Sequence, residues 1–138
     1  MDLPTRNMLE DAVALHSTGE THKSEGLYRK VLEVEPGEPT ALANLAMILL
    51  DRGKVEKALA YAKTSLEANP GNSAAWSTAG IALFHLGAFE NAIGCFDEAL
   101  RLAPDFAAVH GNRASALAEL KRWDESLESA RTAAEMDR

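Results

Sequence analysis

Four histidines, one cysteine and a scatter of carboxylates are the side chains of this sequence that could do chemistry. His16, His22, His85 and His110 could hold a metal, Cys95 could be a nucleophile, and Asp97, Glu98, Glu125 and Glu128 could supply an acid–base pair. Their spacing supports none of these. The histidines are dispersed without the close intervals of a metal site. No basic residue flanks Cys95 to activate a thiol. The carboxylates recur at the intervals of a solvated helix face, and His110 stands at an apolar position of its segment. There is no phosphate loop, no G-x-G-x-x-G, no H-E-x-x-H and no C-x-x-C. The expectation is a protein that is not an enzyme and holds no cofactor and no metal.

Binding is the class that remains, and composition narrows it. The chain has 138 residues, 46% of them hydrophobic, with a net charge of −7. Its size sets a prior of one domain with a real core. Twenty-five alanines fit closely packed helices, since alanine has the best helix propensity and lets backbones approach. The acidic balance argues against nucleic acid and against an anionic membrane, where basic side chains carry the affinity. One cysteine cannot form an internal disulfide. The opening "MDLPTRNMLEDAV" lacks the apolar stretch of a signal peptide. No apolar run reaches the about 18 residues that span a bilayer. A cytoplasmic location is expected.

The elements that must position any binding surface are periodic. Pro36, Pro70 and Pro104 lie 34 residues apart, and Gly19, Gly53 and Gly87 keep the same interval. A fixed period of this length marks a stacked array of one supersecondary unit. Phased on the prolines, the units are Thr5–Glu38, Pro39–Asn72, Ser73–Phe106 and Ala107–Arg138, numbered 5–38, 39–72, 73–106 and 107–138 within one domain, 1–138. Each holds two apolar stretches at helical spacing around a short polar turn: "STGE", "DRGK", "HLGA" and "ELKR". Gly53 and Gly87 fit left-handed helix ends. The prolines stop the second helices, and Asn72 or Ser73 can cap the helix that follows. Eight helices in four antiparallel hairpins are predicted, with no strand.

These units resemble the tetratricopeptide repeat, whose pattern is W-x2-L-G-x2-Y…A-x3-F…P. The third unit matches with Trp76, Ala79, Gly80, Leu83, Ala92, Phe96 and Pro104; the second reads Leu42, Leu45, Ala46, Leu49, Ala58, Ala62 and Pro70. The first reads Met8, Asp11, Ala12, Leu15, Ser24, Tyr28 and Pro36. The fourth reads His110, Arg113, Ala114, Leu117, Ser126 and Ala130, with Arg138 at the proline position. Asp11 and Arg113 replace an apolar residue and Lys121 replaces the turn glycine, which predicts looser terminal repeats. The small residues Ala12, Ala46, Gly80 and Ala114 are expected where paired helices cross. The resemblance implies an all-α, right-handed superhelical solenoid of helix-turn-helix hairpins with a concave groove lined by first helices.

Groove positions carried over from the family fall here on Val13, Met47, Leu50, Ser77, Ile81, Phe84 and His85, among others. The apolar members are not needed by the hairpin pattern and are expected to contact a partner. Asn44 and Asn112 are similar to the asparagines with which arrays of O-linked N-acetylglucosamine transferase hold a peptide backbone; Thr78 interrupts the series. The clamp of chaperone-binding relatives is not expected, because Leu9, Val13, Ala74 and Thr78 fill its other places without a cation. The expected function is a protein-interaction scaffold that binds an extended or helical segment of a protein or peptide. A substrate-docking arm of a larger glycosyltransferase-like enzyme and a homo-oligomeric module are the alternatives. The opening repeat is also similar to the arrays at the start of bacterial multidomain proteins. Leu127, Ala134 and Met136 present an uncovered last face, through which the chain could form a homodimer.

Overall fold

The computed structural model describes residues 1–137, and every regular element among them is an α-helix. In order they are α1 (Leu3–Ser17), α2 (Thr21–Val34), α3 (Pro39–Asp51), α4 (Val55–Ala68), α5 (Ser73–His85), α6 (Phe89–Leu102), α7 (Ala107–Glu119) and α8 (Trp123–Met136). Three first helices begin at the expected unit boundaries. The exception is α1, which starts two residues before Thr5 because Asp2 caps it and Pro4 fits its first turn. Position 138, where a proline was absent from the pattern, lies outside the described residues.

Local chemistry sets the helix ends. The side chains of Asp2, Glu38 and Asn72 accept from the backbone N–H of Thr5, Ala41 and Ala75 at 2.8, 2.6 and 3.1 Å. Asn72 is therefore the cap of α5, and Ser73 is its first helical residue. Each hairpin turn closes with the same two bonds: in the second, Gly53 N–H donates to Leu50 and Lys54 N–H donates to Leu49. That pattern needs a left-handed residue, supplied by Gly19, Gly53 and Gly87 at φ 85°, 77° and 79°. The fourth turn makes the same bonds with Lys121 at φ 60°.

The chain divides into two compact units, Met1–Pro70 and Gly71–Arg138, each of two hairpins. In the first, Tyr28 and Val31 of α2 pack with Ala41, Leu45, Ile48 and Leu49 of α3 around Ala12 and Ala58. In the second, Ile93, Phe96 and Ala99 of α6 pack with Val109, Ala116 and Leu117 of α7. Gly80 sits where α5 crosses α6. A Cβ there would lie 2.7 Å from Cδ1 and 3.0 Å from Cζ of Phe96, and closer still to Cε1. Only glycine lets the buried phenyl ring reach the α5 backbone.

Candidate binding site on the first helices

The two units share one register: adding 68 to a residue of the first gives its counterpart in the second. Ile81, Phe84 and His85 of α5 correspond to Val13, His16 and Ser17 of α1. Phe96 corresponds to Tyr28, Asn112 to Asn44, and Ser115 to Met47. The site can be built from this pairing.

In the second unit these six residues line one half-open cavity of about 140 Å3. The Phe84 ring forms part of its wall, held edge-on against Phe89 at 5.3 Å and against His85 at 5.8 Å. Phe96 is fully buried and lines the cavity from α6. The side chain of Asn112 makes no hydrogen bond to any described residue, so its amide lines the cavity with donor and acceptor to offer. Ser115 turns its hydroxyl back to the Gly111 carbonyl at 3.2 Å.

The first unit resolves the same positions differently. Asn44 donates its amide to the Tyr28 hydroxyl at 3.0 Å, and that hydroxyl meets His16 Nδ1 at 3.4 Å. Burial raises the Tyr28 pKa, against the Asn44 hydrogen bond and with the nearby Glu38, so the phenol stays protonated. One N–H of the Asn44 amide is thus engaged inside the protein, where the sequence suggested an amide free for a peptide backbone. Met47 is half-buried, and Leu50 is half-buried against the core of its unit. Val13 is exposed on α1. Ser77 is buried at 7% exposure and offers packing more than contact surface. Ile81, Phe84, His85 and Asn112 therefore line one cavity. Phe96 and Ser115 complete it, Phe96 having been absorbed by the hairpin pattern; its replacement of Tyr28 in register was the available signal.

The charged residues lie elsewhere. Arg113 donates from Nε to Asp97 and from Nη1 to Ser129 Oγ, both at 2.7 Å. Far from loosening the fourth repeat, it ties α7 to α6 and α8. Asp97, Arg113, Glu125 and Glu128 border a second cleft of about 280 Å3 with His110, whose Nε2 is 3.0 Å from the Pro104 carbonyl. Glu125 is paired with Arg122 at 2.8 Å, and this hydrogen bond holds its carboxyl below the usual value, the wrong direction for a general acid. Among the described residues no three His, Cys, Asp or Glu side chains are grouped to hold a metal. No described helix is long and apolar enough to cross a membrane.

Comparison with family models matches the tetratricopeptide repeat over residues 9–73, 49–105 and 77–138. No curated protein matches the chain. Among solved structures, MamA AMB-1 is 28% identical with a TM-score of 0.77, over 96% of this chain and 73% of that one. MamA MSR-1 is 26% identical with a TM-score of 0.76, over 99% and 80%. A further MamA crystal structure, 14% identical, has a TM-score of 0.82 over 96% and 78%, a likeness of fold alone.

Proposed function

The chain belongs to the tetratricopeptide repeat family and is a protein-interaction scaffold; from that premise we propose that it holds a partner segment on its first helices, with Ile81, Phe84, His85 and Asn112 as the main contact. The observation that carries this is the cavity these residues share. Val13, Met47 and Leu50 are the corresponding apolar residues on the first helices of the first unit. The four repeats are read as one functional domain. The role is taken as non-catalytic, a reading supported by the arginine ion pairs that already hold the Glu98, Asp97 and Glu125 carboxylates. The acidic charge of −7 disfavours nucleic acid as the partner. With one cysteine and no disulfide, the working place is taken as the cytoplasm, in a bacterial cell.

Selection of random displayed peptides on the protein tests this reading. Recovered peptides should carry an apolar residue and bind in the micromolar range. Phe84→Glu should weaken them by about tenfold or more, roughly 1.4 kcal/mol, with helicity by circular dichroism retained. Equal binding by Phe84→Glu would sink the assignment.

A second reading, self-association, is favoured by one observation. Leu127 on α8 is 52% exposed, whereas Ile93 at the same repeat position of α6 is 5% exposed under α7. Trp123 and Met136 are exposed as well. Sedimentation at high concentration should show association that Leu127→Lys with Met136→Lys abolishes; a monomeric parent would remove this reading.

A further inference from the structure

The two units present the same six positions in opposite states, and this names what the site takes. In the first unit the asparagine amide donates one N–H to the Tyr28 hydroxyl, that hydroxyl also meets His16, and a methionine stands at the sixth position. In the second unit Phe96 lacks the hydroxyl, Phe84 lacks the ring nitrogens, and the side chain of Ser115 has two heavy atoms fewer than methionine. The result is an apolar cavity with an unengaged amide in its lining. An enclosed cavity of about 150 Å3 accepts a benzene-sized group, so about 140 Å3 suits one leucine or phenylalanine side chain.

Charge selects the flank of such a side chain. α5 carries no Asp, Glu, Lys or Arg, and α7 carries only Arg113 and Glu119. Arg113 is held by Asp97 and Ser129, leaving exposed Glu119, one turn beyond Ser115, as the unpaired charge of these two helices. Residues 71–138 hold ten acidic against six basic side chains.

We propose that the Ile81–Phe84–Phe96 cavity is an anchor subsite for a single large apolar side chain of a basic polypeptide segment, whose backbone amide Asn112 grips, whereas at the equivalent positions of the first unit the Asn44 amide donates to Tyr28 and a methionine replaces Ser115. This rests on the scaffold reading above and adds which unit is the anchor and what it selects. A stack of equivalent asparagines would grip backbone at every repeat. Here Asn44 has a partner within the protein and the Asn112 side chain has none among the described residues, so the second unit is where such a side chain is held.

The test is a titration of 15N-labelled protein with a capped Leu-Lys dipeptide, following the side-chain amides of Asn112 and Asn44 by NMR. Asn112 should shift with a Kd of about 1–10 mM, as expected for so small a ligand, and Asn44 should not. Capped Ala-Lys and capped Leu-Glu should each bind at least several-fold more weakly. Asn112→Ala should weaken Leu-Lys about fivefold. Ser115→Met, a change at an exposed position that installs the first unit's residue, should fill the cavity and weaken it about tenfold. A response at Asn44 in place of Asn112, equal binding of Ala-Lys, indifference to Ser115→Met, or no shift at Asn112 would each overturn the proposal. Should selected longer peptides still bind and still be lost in Phe84→Glu, the scaffold reading stands and only the anchor fails.

Discussion

Glu25 and Arg52 in the first unit stand where the second has Ile93 and Leu120, and Leu45 and Tyr61 stand where the second has Arg113 and Ser129. Each member of a pair has changed together with its partner. Glu25 is buried and ion-paired to both Arg29, at 3.0 Å, and Arg52; Ile93 and Leu120 pack in an apolar cluster. Leu45 is fully buried with Tyr61 against it; Arg113 is bonded to Asp97 and Ser129. The same backbone thus accepts ionic or apolar filling at either place, provided both partners agree. A lone charge against an apolar partner would lose its hydrogen bonds without regaining water.

The crossing of the paired helices is the place where the units should differ most under mutation. Ala12 crosses beside Tyr28 and Gly80 beside Phe96, and the ring at Gly80 occupies the space of a side chain. Gly80→Leu is expected to destabilise the second unit by about 3 kcal/mol through overpacking. Ala12→Leu should be milder, since α1 and α2 are already spaced for a Cβ. Thermal melts of both variants would break the comparison if the order were reversed.

A smaller effect, on the order of 1–2 kcal/mol, is expected at the ion pair. Glu25→Ile leaves Arg52 and Arg29 without their carboxylate and should destabilise. Adding Arg52→Leu, so that the first unit copies Ile93 and Leu120, should recover most of the loss. A double-mutant cycle with no coupling would refute the paired exchange. The pH dependence has a definite sign. Burial pushes the Glu25 carboxyl up, but the hydrogen bonds and charges of Arg29 and Arg52 outweigh it and leave its pKa lowered. Its stabilisation is therefore present above the ordinary glutamate pKa of about 4.3 and is lost as pH falls through the lower folded value. The gap between parent and Glu25→Gln should be constant at neutral pH and shrink on acidification below about pH 4.

What was legible in the sequence follows from how far each signal reaches. The turns and the proline stops depend on neighbours within a few residues and were readable, as was the cap of α5 to within Asn72 or Ser73. Gly80 was readable as a crossing because the repeat names that position, although the phenyl ring that demands it comes from 16 residues away. The site was half legible. Ile81, Phe84, His85 and Asn112 share a cavity, but Asn44 looked equivalent to Asn112 until the Tyr28 hydroxyl was seen to occupy it. Tyr28 and Phe96 both satisfy the hairpin pattern, so the one atom that separates an open amide from a closed one carried no weight in it. Arg113 read as a defect for a similar reason: its partners lie on two other helices, each 16 residues distant.

The smallest expected difference lies in the turns, where Gly53 and Lys121 occupy one register position in the same bonding pattern. At φ 60° the lysine backbone is in the left-handed region that a Cβ disfavours, while Gly53 at φ 77° carries no such penalty. Lys121 is exposed, and its side chain makes no hydrogen bond or ion pair with a described residue. Glycine is also more flexible in the unfolded chain, and that entropy opposes part of the gain. Lys121→Gly should therefore stabilise the second unit by at most about 1 kcal/mol, and Gly53→Lys should destabilise the first by a similar amount. Chemical denaturation of the two variants side by side measures both. Opposite shifts of comparable size mean that the turn bonds set the backbone and the residue only bears the cost. A loss of stability in Lys121→Gly would mean that the lysine side chain contributes more to the fourth repeat than its backbone strain takes away.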